Sequence, residues 1–181
     1  PSHAGARLSD GKSAIAAMAR KIIEIEDMTG PDCTFSVGVI HAGQWVNCVS
    51  SFCDAQALSM AKKQEDLDDG VARMLALQGT ANGVEFQVTR GVTRPVWHPD
   101  NPGTQMIFEI AKDIAKDLGF AMEGRSQGGG SDGNFTGAMG IPTLDSLGVR
   151  GQGLHTLNEH IFVDSLVERA KLMAGLLMRL S

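Results

Sequence analysis

The sequence predicts an α/β (α+β) protein with two domains. In the first half, apolar residues at helical spacing alternate with β-rich stretches; a proline-rich break follows at residues 94–102, and the second half contains amphipathic helices but few strands. The chain has 181 residues, of which 43% are apolar, enough for one medium or two small cores. We expect a boundary near Gly91, with domains over residues 1–90 and 91–181.

Two helices are predicted in the first half. Apolar residues from Ile15 to Ile25 follow helical spacing, and Ser9 or Asp10 precedes them as a candidate N-cap. Further along, acidic residues crowd the start of a second apolar pattern that Gly79 ends. Negative charge at that position favours a helix N-terminus.

Strands are predicted around these helices. Residues 35–40 and about 45–60 are β-rich and joined by a glycine-containing turn, which predicts an antiparallel hairpin, and residues 84–88 alternate like a strand. With a short strand at the start, the order becomes strand, helix, two strands, helix, strand. This order is typical of a ferredoxin-like α/β sandwich.

The second half contains apolar helices at residues 106–118 and 167–180, with a glycine-rich loop, a buried-type strand near residues 141–147 and a histidine-bearing loop between them. So few strands cannot shield these helices, and we expect an exposed apolar face. The opening Pro-Ser-His has neither an initiator Met nor a signal peptide. We therefore expect that part of the native domain lies upstream of Pro1.

Composition excludes several classes of partner. The formal charge of −5 provides no basic surplus for a phosphate backbone, which argues against nucleic acid. No apolar run approaches the roughly 20 residues that span a bilayer. The three cysteines lack metal-ligand spacing, and their odd number favours a reducing compartment, so we expect a cytoplasmic protein. Cys48 and Cys53 would lie on opposite faces of one strand and could not bridge.

The segment from Gly128 to Gly133 fits the pattern G-x-G-x-x-G, which can bind a pyrophosphate. A polar stretch precedes it instead of a buried strand, which argues against a dinucleotide site. The alternatives are a plain flexible loop and an anion site in which glycine amides and the Ser131 hydroxyl hold a carboxylate. Asp132 and Asn134 could equally be ordinary helix caps.

Three other residues have both a functional and a structural interpretation. His155 follows a turn of small residues and could ligate a metal or transfer protons, but a lone histidine is more often structural. Zinc needs three or four ligands, so one histidine does not make a site. Taken alone, His3 is an exposed strand histidine, and Asn47 is a turn or edge residue.

Read together, these segments resemble the aminoacylase, succinyl-diaminopimelate desuccinylase and glutamate carboxypeptidase family of dizinc metallopeptidases. The resemblance rests on four stretches in order, SHAG at 2–5, VGVIHAG leading to VNCV at 37–49, GGGSDG at 128–133 and GVRGQGLHTLNE at 148–159. It implies that residues 1–90 form a lid and dimerisation domain. Residues 91–181 would be the C-terminal part of a zinc-peptidase catalytic domain with an α/β fold.

The resemblance also implies roles for individual residues. His3 would donate a hydrogen bond to the oxyanion of the tetrahedral intermediate in the partner subunit's active site. Such a donor lowers the activation free energy by about 3 kcal/mol. Asn47 would contribute a polar substrate contact, and His155 would be the last zinc ligand. The loop that holds the substrate carboxylate corresponds to Gly129, Gly130 and Ser131.

The implied enzyme is a dimeric, zinc-dependent hydrolase that cleaves an N-acyl amino acid or a short peptide. Two zinc ions per complete subunit would polarise the amide carbonyl and lower the pKa of bound water toward about 7. The other zinc ligands and the general-base glutamate would precede Pro1, so the chain alone is expected to be inactive. A non-catalytic dimerisation module is the main alternative.

One departure from the family pattern concerns substrate recognition. Where the family often carries an arginine that pairs with the terminal carboxylate, this sequence has Met60, which cannot make a bidentate pair. Arg90, Arg94 or Arg125 could substitute, or the substrate is anchored differently. A family member that has lost activity is a further alternative.

Overall fold

The computed structural model describes residues 1–126 and 128–181, which divide into two compact units, Pro1–Val96 and Trp97–Ser181. Helices are combined with short antiparallel strand pairs, which confirms the predicted α/β class. The units divide a few residues beyond the boundary expected near Gly91. No helix in the described part of the chain combines the length and apolarity required to cross a membrane.

The first unit contains the two predicted helices, but three strands lie between them and two strands follow the second helix, where the sequence predicted two and one. Its elements are β1 (Ser2–His3), α1 (Ala14–Asp27), β2 (Cys33–Ala42), β3 (Cys48–Val49), β4 (Cys53–Ala61), α2 (Gln64–Leu75), β5 (Gly79–Ala81) and β6 (Val84–Phe86). Its core consists of Ile25, Cys33 and Phe35, and the partly buried side chains that pack against it are Met28, Val37, Ala61, Met74 and Leu77. Burial of these side chains is the main stabilising term for this unit.

The N-cap of α1 differs from the prediction. Ser13, not Ser9 or Asp10, accepts a hydrogen bond from the Ala16 amide at 3.1 Å. Asp10 instead ends a short 3-10 turn and pairs with Arg7 at 2.7 Å. The cap lies nearer to the helix because a capping side chain reaches only the amides two or three residues ahead.

The strand expected over residues 45–60 is divided into two. β2 pairs with β4 from Cys33 opposite Ala61 to Ala42 opposite Cys53, with a bulge between Val37 and Val39. β3 leaves this ladder and pairs with β1. The interpretation of Cys48 and Cys53 as members of one strand was therefore wrong, although both are free, as is Cys33.

The end of the first unit contains a hairpin that the sequence analysis missed. β5 pairs with β6 around Asn82 and Gly83, whose φ angles are 53° and 75°. Positive φ at both central residues defines a turn for which Asn-Gly is the preferred sequence. α2 ends at Leu75, and Gly79, which was predicted to end this helix, is the first residue of β5.

The second unit is built on two helices, as predicted. α3 (Pro102–Asp117) packs against α5 (Asp164–Leu180), and the remaining elements are α4 (Gly133–Ala138), β7 (Gly151–Gln152) and β8 (His160–Ile161). The core consists of Ala111, Ile114, Ala115, Leu172 and Leu176. Asn101 caps α3 by accepting hydrogen bonds from two amides of its first turn, at 2.8 and 3.2 Å.

The strand predicted near residues 141–147 is wrong, since these residues have no ladder partner in the described part of the chain. Apolar residues alone do not make a strand, because its amides need a neighbour. Here the Thr143 amide donates to Thr104 Oγ1 at 3.2 Å, and Leu144 and Leu147 pack against the core of the unit. The segment is held by side chains and remains irregular.

Candidate functional site

His3 lies in β1 with its imidazole exposed and its orientation fixed by the backbone that follows. Its Nδ1 accepts hydrogen bonds from the amides of Gly5 and Ala6, each at 3.1 Å. Because a nitrogen that accepts two N–H groups carries no proton of its own, the neutral ring carries its hydrogen on Nε2. His3 therefore presents an N–H donor to solvent.

Asn47 lies beside His3 in the same unit. The Ala4 amide donates to the Asn47 carbonyl at 2.9 Å, and His3 is the register partner of Cys48. The structure thus brings together two predicted site residues that are more than 40 positions apart in sequence. The exposed Asn47 side chain makes no hydrogen bond within the described residues.

A cleft of about 500 Å³ lies beside these residues in the first unit. Neither His3 nor Asn47 lines it. Two of its side chains are well-exposed aromatics, Trp45 at 67% and Phe52 at 69%. The remaining lining comes from Pro1, the end of β2, Gly43, Gln44 and residues 48–51.

The glycine-rich loop of the second unit is organised by Ser131. The Ser131 hydroxyl accepts the Gly133 amide at 3.0 Å, and the Ser131 amide donates to Asn134 Oδ1 at 2.8 Å. Ser131 therefore caps the start of α4, a role the sequence suggested for Asp132 or Asn134. The amides of Gly129 and Gly130 make no hydrogen bond to residues 1–126 or 128–181.

The context of this loop does not match a dinucleotide site. Residues 121–126 and 128–132 form no strand, and α4 has only six residues. A pyrophosphate-binding loop requires a strand before it and a long helix after it. Glycine amides without a protein partner are the kind of donor that an anion site uses, so the anion site stays a prediction beside the plain loop.

Asp145 is a functional candidate that sequence reasoning missed. The Ser131 hydroxyl donates to Asp145 Oδ2, and the Ser146 amide donates to Asp145 Oδ1 at 2.5 Å. The two partners, Ser131 and Asp145, lie 14 residues apart in segments without a shared periodic pattern. No sequence signal connects them.

His155 lies in the loop of a small hairpin in the second unit. β7 pairs with β8, and within the loop Thr156 donates through both its amide and its hydroxyl to the Gly153 carbonyl, at 3.0 and 2.7 Å. The His155 amide donates to Glu159 Oε2 at 3.1 Å. These bonds hold His155 at a φ of 63°, a left-handed conformation that is uncommon for a non-glycine residue.

The imidazole of His155 is exposed and has no hydrogen-bond partner within the described residues. His160, five residues on, differs: its Nδ1 lies 2.7 Å from the Asn158 carbonyl, and its ring meets Phe162 edge-on at 5.6 Å. Of these two histidines, only His155 keeps both ring nitrogens available. A metal ligand or a proton-transfer group needs one free ring nitrogen, and its other nitrogen usually makes a hydrogen bond, so the His155 ring is compatible with both roles.

The described residues do not form a metal site by themselves. Among residues 1–126 and 128–181, no three side chains of the His, Cys, Asp and Glu types come together closely enough to hold an ion. The single imidazole of His155 fits one position of a zinc site, which needs three or four ligands.

The arginines that could bind the substrate carboxylate in place of the family's arginine have partners within the chain. Arg90 donates to the Thr93 hydroxyl at 2.8 Å, and Arg125 pairs with Glu123 at 2.9 Å in an exposed ion pair. Met60 lies in β4 opposite Thr34. Exposed ion pairs are weak, so the bond of Arg125 to Glu123 does not prevent it from binding a substrate.

Known proteins resemble this chain in sequence and in structure. The sequence profile of the peptidase family M20/M25/M40 matches residues 6–179. The uncharacterised protein YqjE of Bacillus subtilis is 28% identical over 179 residues, which cover 97% of this chain and 47% of that protein. Carboxypeptidase G2 of Pseudomonas sp. is 27% identical, and the match covers 99% of this chain and 44% of that enzyme.

A crystal structure of a tripeptidase from Staphylococcus aureus superposes with a TM-score of 0.69 at 26% identity, over 97% of this chain and 47% of the tripeptidase. The fold is therefore that of peptidases. More specifically, the chain belongs to the peptidase family M20/M25/M40, which confirms the resemblance drawn from the four sequence stretches. The chain spans about half the length of the relatives it matches.

Proposed function

We propose that this chain forms the lid and the C-terminal part of the catalytic domain of a zinc-dependent hydrolase of C–N amide bonds. The enzyme would be of the glutamate carboxypeptidase or N-acyl-amino-acid deacylase type. The observation that carries the proposal is the exposed imidazole of His155, which has no hydrogen-bond partner in the described chain and stands on a hydrogen-bonded loop. The His155 ring can therefore serve as one of the protein ligands of a metal ion.

Each unit would contribute its own chemistry. In the first unit, the Nε2–H of His3 would donate to the oxyanion that develops on the scissile carbonyl, while Asn47 contacts the substrate. In the second unit, the amides of Gly129 and Gly130 would hold the substrate carboxylate, with Ser131 in the same loop. His155 would ligate one of two zinc ions whose other ligands lie outside residues 1–181.

The proposal agrees with what the relatives are named for. Carboxypeptidase G2 and the tripeptidase are both named for cleaving peptide-type bonds. Because Met60 stands where the family often has an arginine, the substrate's terminal carboxylate lacks that partner. Under the proposal, the amides of the glycine loop therefore provide a larger share of the hydrogen bonds that bind it. The substrate class we propose is an N-acyl amino acid or a short peptide.

A non-catalytic interaction module makes a different prediction for the same residue. In such a module His155 would be buried or hydrogen-bonded away from solvent. The imidazole is exposed and lacks a hydrogen-bond partner in the described chain, which favours the enzyme.

The proposal is tested with two histidine variants. His155→Asn keeps the left-handed backbone, which Asn tolerates, and removes the imidazole; His160→Asn is the matched control. In the catalytically active protein that carries this chain, we expect His155→Asn to abolish zinc-dependent turnover and lower the bound zinc measured by mass spectrometry. Equal zinc content and activity in both variants would contradict the proposal.

The chain of residues 1–181 alone serves as a second test. With added zinc and a panel of N-acyl amino acids, we expect no turnover, because one imidazole cannot complete a metal site. A metal-dependent rate from this chain would overturn the assignment of the missing ligands.

We further propose that the protein is a cytoplasmic homodimer joined through the first unit. Within residues 1–126 and 128–181, the sheet formed by β2 and β4 has two strands, each with an unpaired edge, and α1 exposes Ile15 and Ile23. Two-fold pairing of identical edges is the usual form of a homodimer contact. Light scattering at high protein concentration should give twice the chain mass, and a monomer would refute the dimer.

A further inference from the structure

We propose that Asp145 is a positioning residue of the glycine-rich loop: it takes the hydroxyl hydrogen of Ser131 and leaves the amides of Gly129 and Gly130 as the donors that meet a substrate carboxylate. The inference rests on the proposed function, because it assumes that this loop receives the carboxylate. It assigns a role to a residue that the family resemblance does not include.

The direction of the hydrogen bond between Ser131 and Asp145 follows from their chemistry. An ionised carboxylate only accepts hydrogen bonds, so the hydroxyl of Ser131 must donate to Asp145 Oδ2. A serine hydroxyl has one hydrogen, and Ser131 donates this hydrogen to Asp145. Its oxygen accepts the Gly133 amide at 3.0 Å, so the Ser131 hydroxyl links Asp145 to the start of α4.

Both partners are held from a second side. The Ser131 amide donates to Asn134 Oδ1 at 2.8 Å, which leaves Ser131 with no polar hydrogen for a ligand. Asp145 Oδ1 accepts the Ser146 amide at 2.5 Å, and Ser146 has a φ of 59°. The carboxylate is therefore bonded through both oxygens and cannot rotate freely.

Charge directs the substrate away from the hydroxyl. A substrate carboxylate at Ser131 Oγ would share one hydrogen with the Asp145 carboxylate, and two like charges at one donor repel each other. The amides of Gly129 and Gly130 carry no such competitor within the described residues. Asp145 thus makes the loop a site built from main-chain donors.

The kinetic test compares Asp145→Ala with Asp145→Asn in the active protein that carries this chain. An N-acyl amino acid with a free carboxylate is compared with the same compound as a carboxamide. For Asp145→Ala we expect the KM of the acid to rise about tenfold, with kcat nearly unchanged, because the loop loses the charge-assisted bond that positions its glycine amides, and this outweighs the hydroxyl hydrogen that the variant frees. The KM of the carboxamide should stay the same.

Asp145→Asn is the conservative variant, because its side-chain carbonyl can still accept the Ser131 hydroxyl. We expect it to restore most of the affinity for the acid. Asp113→Asn, which removes one exposed carboxylate from α3, is the matched control and should have no effect. Equal effects of Asp145→Ala on KM for acid and carboxamide would overturn the inference.

A second measurement uses residues 1–181 and does not depend on activity. The Gly133 amide resonance should shift in Ser131→Ala and in Asp145→Ala, and the double variant should match Ser131→Ala alone. An unmoved Gly133 resonance in Asp145→Ala would refute the positioning role. If the coupling holds but the unaltered enzyme binds acid and carboxamide equally, the carboxylate-binding part of the proposed function fails, and with it the direction of the substrate to the glycine amides.

Discussion

Two backbone amides determine which nitrogen of His3 carries a hydrogen. Gly5 and Ala6 donate to Nδ1, so the neutral ring carries its hydrogen on Nε2. A donor of this kind needs no rearrangement when negative charge develops on a substrate. Preorganised donors contribute more to catalysis than mobile ones for this reason.

The first prediction concerns this donor. In the active protein, His3→Ala should lower kcat by about 10²–10³, the usual effect of removing one oxyanion donor. His3→Gln, whose amide can donate, should retain more activity. Nitrogen-15 spectra of the imidazole in residues 1–181 should identify the Nε2–H tautomer; an Nδ1–H form would contradict the geometry.

The second prediction concerns the thiol of Cys33. Burial raises the pKa of Cys33 above its ordinary value of 9.0, against a smaller lowering by Arg73. Above pH 9 the unfolded chain therefore loses this proton more readily than the folded chain does. The resulting stability is present below pH 9 and is lost as the pH rises through the folded pKa.

Urea unfolding at pH 8 and pH 10 measures this effect. Cys33→Ala should lose less stability over this range than the unaltered chain. Cys48→Ala, which changes an exposed thiol, is the control and should behave like the unaltered chain. Identical pH dependence in Cys33→Ala would contradict the prediction.

Residues of the candidate site differed in how far the sequence could predict them. His3, Asn47, His155 and the glycine loop were proposed from the sequence because their local motifs stand in a fixed order along the chain, and their roles stay predictions. Asp145 was missed because its partner Ser131 is reached only through the fold. The contact of Glu159 with the His155 amide was also missed, since it depends on a left-handed backbone.

At the scale of elements, the helices followed the sequence more closely than the strands did. α3 and α5 have apolar spacing that is visible locally. Strand pairing depends on which neighbour is available: β3 leaves the β2 ladder for β1, and residues 141–147 find no ladder partner in the described chain. Period-2 patterns do not contain this information.

The third prediction concerns the contact between α3 and α5. Leu172 is fully buried in this contact, whereas Leu177 on the same helix is 67% exposed. Leu172→Ala should lower the free energy of unfolding by about 2–5 kcal/mol, because it leaves a cavity. Leu177→Ala, the same change at an exposed position, should cost far less; equal losses in urea unfolding would show that the contact does not stabilise the unit.

The whole molecule exposes more surface than its mass requires. Its accessible area is 12571 Å². Two separate compact units of half this mass would together expose about 10,200 Å². As expected from the sequence, α5 contributes exposed apolar side chains, including Val167, Leu177 and Met178. Exposed apolar surface on this scale is suited to burial against further protein.

The fourth prediction concerns the segment that joins the units. Residues 87–98 form neither helix nor strand, and Arg90 is exposed within them. Within this segment trypsin should cleave after Arg90, because the other arginine, Arg94, precedes a proline. The products, residues 1–90 and 91–181, are then identified by mass spectrometry. Arg90→Gln should remove this cut, and a first cut inside α1 would contradict the division into two units.

The loop that carries His155 has a consequence for how a chelator would act under the proposed function. The bond from the His155 amide to Glu159 and the bonds from Thr156 to Gly153 join protein groups only, so they hold the loop whether or not an ion is bound. A site of this kind loses little conformational entropy on loading. Treatment with EDTA should therefore inactivate the protein reversibly while the circular dichroism of residues 1–181 stays constant, in contrast to zinc fingers, which unravel when their ion is withdrawn.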